Sequence, residues 1–362
     1  MIVGLAACAP PEAAGDFAQE VRVAYRPGDP LANLGPDARV DRGLRAAAEE
    51  LAASATRPDA RLTPSATRLA LARAGYPGDA RFVRVVSPGT ALPAALLDGL
   101  PRGGPLDLGW AWRDQPDGTR LWVLGWARRP LAMDPIRRDL PLDGATSLRV
   151  DGAAEPRLLL GRPDGTVDEL SIRDGQARWI DRFPFPGEYR VEVLDGDRVA
   201  LLFSLFVDGP PPPPSPLPGP AERPVAAEAE AAIFGWLAAL RARAGLAPVA
   251  RFGAFEPHAR AHAACLVQAG VVAHATSRCP GVPALAQRTH HPPAKHHEDV
   301  AVADTAAEAW ERLLDSPGHR LNLLCEPCTH ASVGVIVEPP RVFAVVELLE
   351  MPQGEPRPIP AR

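Results

Sequence analysis

The chain has 362 residues, of which 46% are hydrophobic, and carries a net charge of −5. This length supports two or three domains with real cores, and the lack of any basic stripe argues against a nucleic-acid-binding surface. No apolar run reaches the roughly 18 residues of a membrane-spanning helix, and the single lysine, Lys295, among 39 basic residues marks compositional bias rather than an arginine-dependent function.

The chain opens with MIVGLAAC, a short apolar run ending in Leu5-Ala6-Ala7-Cys8, followed by a Pro/Ala/Gly/Asp stretch. Small residues before a cysteine resemble a bacterial lipobox. Residues 1–8 are therefore expected to end a lipoprotein signal, Cys8 to carry the lipid and 9–36 to form a tether. The segment has no positive n-region and is short for a signal peptide, which a start codon further upstream would explain.

Residues 37–135 form an N-terminal α/β unit. DARVDRGLRAAAEELAASA spaces Val40, Leu44, Ala47 and Leu51 at helical intervals, and a second helix follows Pro64 and stops at Gly75 and Pro77. RFVRVV reads as a strand, and LDLGWAWRDQPDGTRLWVLGWARR as a hairpin turning at Pro-Asp-Gly-Thr. From 140 to 208 short alternating runs separated by Asp-Gly and Pro-Gly turns predict a small immunoglobulin-like β-sandwich, with a binding or spacing role and no catalytic group. The proline-rich run at 209–224 is a polyproline-type linker.

All nine histidines and four of the five cysteines follow this linker. Helices are expected in AEAEAAIFGWLAALRARAG, in the segment opened by Glu256-Pro257 and in DTAAEAWERLLD, capped by Asp304 or Thr305. The stretch from Val271 to Asp299 reads as loop, and SVGVIV and VFAVVELLE as two closing strands. Without Cys8, an even set remains: Cys265, Cys279, Cys325 and Cys328. In an exported chain these suggest two disulfides out of three possible pairings, the simplest being Cys265–Cys279 and Cys325–Cys328.

The residues RAGLAPVARFGAFEPHARAHAACLVQAG, VAH at His274, HEDVA around Glu298, SPGHRLNLL and VGVIV…VFAVVEL resemble the CAP superfamily (cysteine-rich secretory protein, antigen 5 and pathogenesis-related 1; the SCP domain) in its bacterial form. The likeness spans about residues 224–350, within a C-terminal domain set at 225–350 with a tail at 351–362. His-Glu-Asp stands where the family usually has Gly-Glu-Asn. The resemblance implies an α-β-α sandwich with a cleft lined by His274, Glu298 and His319, the last aimed inward by the Ser-Pro-Gly turn. Glu308 and Glu311 are both candidates for a second cleft glutamate.

The expected whole is a multi-domain α+β protein whose region 37–130 is either a degenerate, siteless CAP-like copy or another small α/β domain ending in a hairpin. It is placed at the bacterial envelope, exported and held at the membrane by the lipid alone, periplasmic or on the surface. Two imidazoles and a carboxylate suit a divalent ion, Zn²⁺ or Mg²⁺, held by His274 and His319. The first functional expectation is binding of a small or lipid-like ligand or an envelope component. The alternative is a metal-assisted peptidase or envelope-polymer hydrolase with Glu298 as general base. A purely structural stalk is a third reading. HHPPAKHH, His290 to His297, is a histidine tract read as an exposed loop. His262, four residues after His258 without an intervening glutamate, is read as a packing or hydrogen-bonding residue rather than a ligand. Ser316 is read as a turn residue, and Cys325-Glu326-Pro327-Cys328 as a staple rather than a redox motif.

Overall fold

The computed structural model describes residues 38–351, apart from 220–224, 282–292 and further stretches of one to four residues. The signal and tether with Cys8, and also His290, His291 and the tail from 352, lie outside the described residues.

The first unit runs β1 (Ala38–Val40), α1 (Arg42–Ser54), α2 (Pro64–Arg73), β2 (Arg81–Ser87), α3 (Ala94–Asp98), β3 (Leu106–Asp114) and β4 (Arg120–Arg128). Asp41 caps α1 by accepting from the Leu44 N–H at 3.0 Å, and Thr63 caps α2 ahead of Pro64. The strands lie in the order β1-β3-β4-β2, with β1 parallel to β3 and the other pairs antiparallel. Helix α1 buries Leu44, Ala47, Ala48 and Leu51 against one face of this sheet. It comes so close that a Cβ on Gly109 would stand 2.2 Å from the Arg45 nitrogen, so only glycine fits. The other face carries Trp110, Trp122 and Trp126 with Leu96 of α3.

Strands β5 (Ala132–Met133), β6 (Asp139–Leu140), β7 (Thr146–Asp151), β8 (Pro156–Gly161), β9 (Val167–Leu170), β10 (Gln176–Trp179), β11 (Gly187–Asp195) and β12 (Arg198–Val207) come next. They form a three-stranded sheet, β10-β7-β5, and a five-stranded one, β6-β12-β11-β8-β9. Leu148 of the first sheet and Leu158, Val191, Val193 and Phe203 of the second share one core, the packing of two stacked sheets.

The proline-rich run does not stand free. Leu217 is buried in the core of the first unit and its N–H donates to the Ser54 carbonyl at 3.1 Å; the Pro218 carbonyl accepts from the Arg61 N–H at 2.8 Å. A polyproline strand has no internal hydrogen bonds, so its carbonyls are available to a neighbouring surface, and here the neighbour is the first unit.

The last unit contains α4 (Ala226–Arg243), β13 (Ala250–Arg251), α5 (Glu256–Ala269), β14 (Lys295–Ala303), α6 (Ala306–Asp315), α7 (Pro317–Leu323), β15 (His330–Glu338) and β16 (Arg341–Glu350). Its sheet order is β13-β15-β16-β14, with β13 parallel to β15 and the rest antiparallel. Helices cover both faces. Ile233 and Leu237 of α4 with Trp310 and Leu313 of α6 pack on one, and Ala259, Ala263 and Leu266 of α5 on the other. Gly334 of β15 again admits the helix backbone, since a Cβ there would lie 2.3 Å from the Arg260 nitrogen. The cysteines pair as Cys265–Cys279 and Cys325–Cys328. Strand β14 corrects the sequence reading. His296 and His297 lie in a strand, not a loop, because the apolar Val300–Ala303 segment pairs with β16 and draws the polar residues before it into the same ladder.

Candidate functional site

The Ser316-Pro317-Gly318-His319 turn is the start of a helix. Ser316 caps α7 by accepting from the His319 N–H at 3.2 Å, and Pro317 fills the first turn, where its missing N–H costs nothing. This fixes His319 one turn into α7, half-buried, with its Nδ1 turned away from solvent. Burial, and secondarily the charge of His274, push its pKa down to about 4, so the ring is neutral at pH 7. Its Nδ1 has no hydrogen-bond partner among the described residues.

His274 stands edge-on to His319, with ring centroids 6.3 Å apart. Its side chain is half exposed, and its Nδ1 lies 3.0 Å from Glu298 Oε1. Glu298 is buried in β14 on the sheet face that α5 covers. His274, Glu298 and His319 therefore stand together. Glu308 and Glu311 belong to other contacts: Glu308 pairs with Arg61 at 2.6 Å, and Glu311 lies 3.7 Å from Arg68, both arginines coming from the first unit. Burial raises the pKa of both carboxyls.

Two further residues neighbour Glu298, one of which, Glu347, escaped the sequence reading. Glu347 sits directly opposite it on β16, fully buried, with neither oxygen hydrogen-bonded among the described residues. Burial first, then the charge of Glu298, hold its pKa well above the ordinary carboxylate value. A lone acid inside the apolar run VFAVVELLE was the available signal. His262 of α5 is also buried, with its Nε2 3.5 Å from Glu298 Oε2. Its helix position beneath β14 was not legible from residue spacing alone.

The middle unit holds the turn from behind. Glu192 of β11, buried, accepts from the Ser316 hydroxyl at 2.9 Å and the Gly318 N–H at 2.6 Å. Burial pushes its pKa up, opposed by these donors and by Arg190 and Arg320. Arg190 donates to the Asp315 carbonyl at 3.0 Å, and Arg68 pairs with the Asp315 side chain. Alternation in GEYRVEVL marks Glu188, Arg190 and Glu192 as one polar face. It does not say that this face meets the helix carrying His319.

A metal held by His274 and His319 finds partial support in the donor set. The buried, unpartnered Nδ1 of His319 is the kind of atom a ligand satisfies, but His274 Nδ1 is already engaged by Glu298. Among the described residues, the one set of three potential ligand atoms within 4.8 Å of one another is elsewhere, His297 with the disulfide-bonded Cys325 and Cys328.

No family model matches the chain, and no curated protein matches it in sequence. Solved structures do. One is an extracellular protein containing an SCP domain from Bacillus anthracis, at 17% identity and TM-score 0.33, covering 60% of this chain and 68% of that one. The chain is similar to bacterial SCP-domain proteins. A cysteine-rich secretory protein of Staphylococcus aureus matches at 12% identity and TM-score 0.31, over 57% of this chain and 82% of that one. An outer surface protein of Borrelia burgdorferi matches at 15% and 0.32, over 34% and 94%. No helix among the described residues of this SCP-like chain is long and apolar enough to cross a membrane.

Proposed function

We propose that this is an exported, lipid-anchored envelope protein whose SCP-like unit binds a small or lipid-like envelope ligand in the cleft of His274, Glu298 and His319. The observation carrying this reading is the pairing of a half-exposed His274, oriented by buried Glu298, with a half-buried, neutral His319 that has a buried, unpartnered nitrogen. Such a lining offers a ligand both donor and acceptor at one mouth. The two disulfides support an oxidising compartment. Region 37–130 is read as a siteless copy of the same fold, supported by its matching strand order.

Binding is preferred to hydrolysis because the candidate second glutamates are occupied by Arg61 and Arg68. The oriented His274–Glu298 pair favours hydrolysis as the alternative, with Glu298 as base.

The test uses the full oxidised chain. It is titrated by calorimetry with purified muropeptides, a lysophospholipid, Zn²⁺ and Mg²⁺, beside a His274→Ala/His319→Ala variant. Saturable binding of an organic probe, weakened tenfold or more in the variant, supports the reading. Binding unaffected by the variant, or none, sinks it, and probe cleavage lost in Glu298→Gln would establish the hydrolase instead. Metabolic labelling with an alkynyl fatty acid, lost in Cys8→Ser, tests the anchor.

A further inference from the structure

The loop after α7 combines three features that the cleft does not use. Cys325 and Cys328 flank Glu326-Pro327, both sulfur-bearing residues are buried, and an imidazole nitrogen of His297 lies with both sulfurs inside a 4.8 Å set. His297 adjoins Glu298 in β14, so strand alternation turns the two side chains to opposite faces of the sheet. The set is therefore separate from the cleft, on the face that α4, α6 and α7 cover.

The loop has a support that does not depend on its disulfide. Arg241 of α4 is fully buried, and its guanidinium donates to the carbonyls of Leu323 at 3.1 Å, Cys325 at 2.9 Å, Cys328 at 3.3 Å and Ala247 at 3.2 Å. These clamp the backbone on both sides of Glu326-Pro327. All four acceptors are neutral, and no carboxylate pairs with Arg241 among the described residues. A buried cation without a counter-charge is costly. Beside a pair of cysteines it favours the deprotonated thiols that a metal requires.

We propose that, with its disulfide reduced, the Cys325–Cys328 loop joins His297 to form a three-ligand site for a thiophilic divalent ion such as Zn²⁺. The disulfide takes two electrons and two protons from an external dithiol, which leaves as its own disulfide. The two thiols then lose their protons as the ion binds through two sulfurs and one imidazole nitrogen. Two thiolates and an imidazole suit tetrahedral Zn²⁺, with water or a further group in the fourth position. The ion would tie β14, which carries Glu298, to the end of α7, which carries His319. The disulfide ties only the loop to itself.

The experiment uses Co²⁺ as a spectroscopic probe on the full chain, with His290, His291 and His296 replaced by Ser so that the histidine tract cannot compete. Reduced protein is expected to take up one equivalent of Co²⁺ with thiolate charge-transfer bands, displaced by Zn²⁺, whereas oxidised protein gives none. The bands should vanish in Cys325→Ser/Cys328→Ser, and the affinity should fall at least tenfold in His297→Ala. Four outcomes overturn the proposal: no bands in reduced protein that circular dichroism shows to be folded, bands that persist without Cys325 and Cys328 and so arise from the other three cysteines, an affinity indifferent to His297, or unfolding on reduction, since Arg241 should hold the loop without the bond.

Discussion

The first and last units each have a four-stranded sheet of the same order and the same senses of pairing, and each sets a glycine beneath its covering helix. Counting from Gly109 and Gly334 through the strand registers, Ala127 takes the place of Glu347 and Ala80, just before β2, that of Glu298, and on the helices Ala47 takes the place of His262. All three alanines are buried in the core of the first unit. One architecture thus tolerates either an alanine core or a group of two acids and a histidine at the same positions. Close helix–sheet contact, set by the glycine, is what the fold requires. The polar group is an addition that burial makes costly.

The largest expected effect breaks what the two units share. Gly334→Leu or Gly109→Leu places side-chain atoms inside a helix backbone, so either variant should lose more than about 4 kcal/mol and fail to give a cooperative urea transition. Next, Ala127→Glu puts into the first unit the acid that the last one carries. Without a partner it should cost about 3 kcal/mol in urea unfolding at pH 7. An unchanged midpoint would show that this position opens to solvent and that the registers do not correspond.

Glu192→Ala leaves the Ser316 hydroxyl and Gly318 N–H without their buried acceptor. A loss of about 2 kcal/mol is expected, together with a change in the His319 ring resonances. If the resonances stay put, the middle unit does not position the cleft.

The smallest effect concerns pH. Glu347 has a raised folded pKa, so the fold keeps a proton that the unfolded chain gives up at about pH 4.3, the ordinary glutamate value. Its contribution to stability is full below that pH and is lost as pH rises through the folded value. Glu347→Gln should remove this loss, so its stability should fall less than the wild type's between about pH 5 and 8. His319 acts in the opposite sense. Its folded value of about 4 lies below its unfolded one, so stability is lost as pH falls from roughly 6.5 through 4. His319→Leu should flatten that acid limb, and melts from pH 4 to 9 separate the two.

Much of the fold was legible in the sequence because its signals are local. The helix starts at Thr63, Glu256-Pro257 and Thr305, and the two hairpins, follow from caps, proline and alternation. The first helix, read from Asp37 with Val40 on its face, begins only after Asp41, because Ala38–Val40 pairs with β3 as a strand. The short parallel strands β1 and β13 were not visible. Each has three residues or fewer and exists because a distant strand accepts it. His274, Glu298 and His319 were found through motif resemblance. Glu347, Glu192 and Arg241 were missed because a polar residue in a strand or helix looks the same from sequence whether it points to water or into a contact.

The order of residues by itself determined where helices and strands begin, which faces are apolar and where cysteine and histidine chemistry concentrates, since all of these depend on neighbours within a few positions. Only the tertiary structure decided that the proline-rich run lies against the first unit, that Glu308 and Glu311 answer to Arg61 and Arg68, and that Glu192 holds the turn carrying His319. Each of these joins groups more than 100 positions apart, or elements separated by a whole unit. Such pairings depend on which surfaces meet once the units have packed, and no local pattern encodes that.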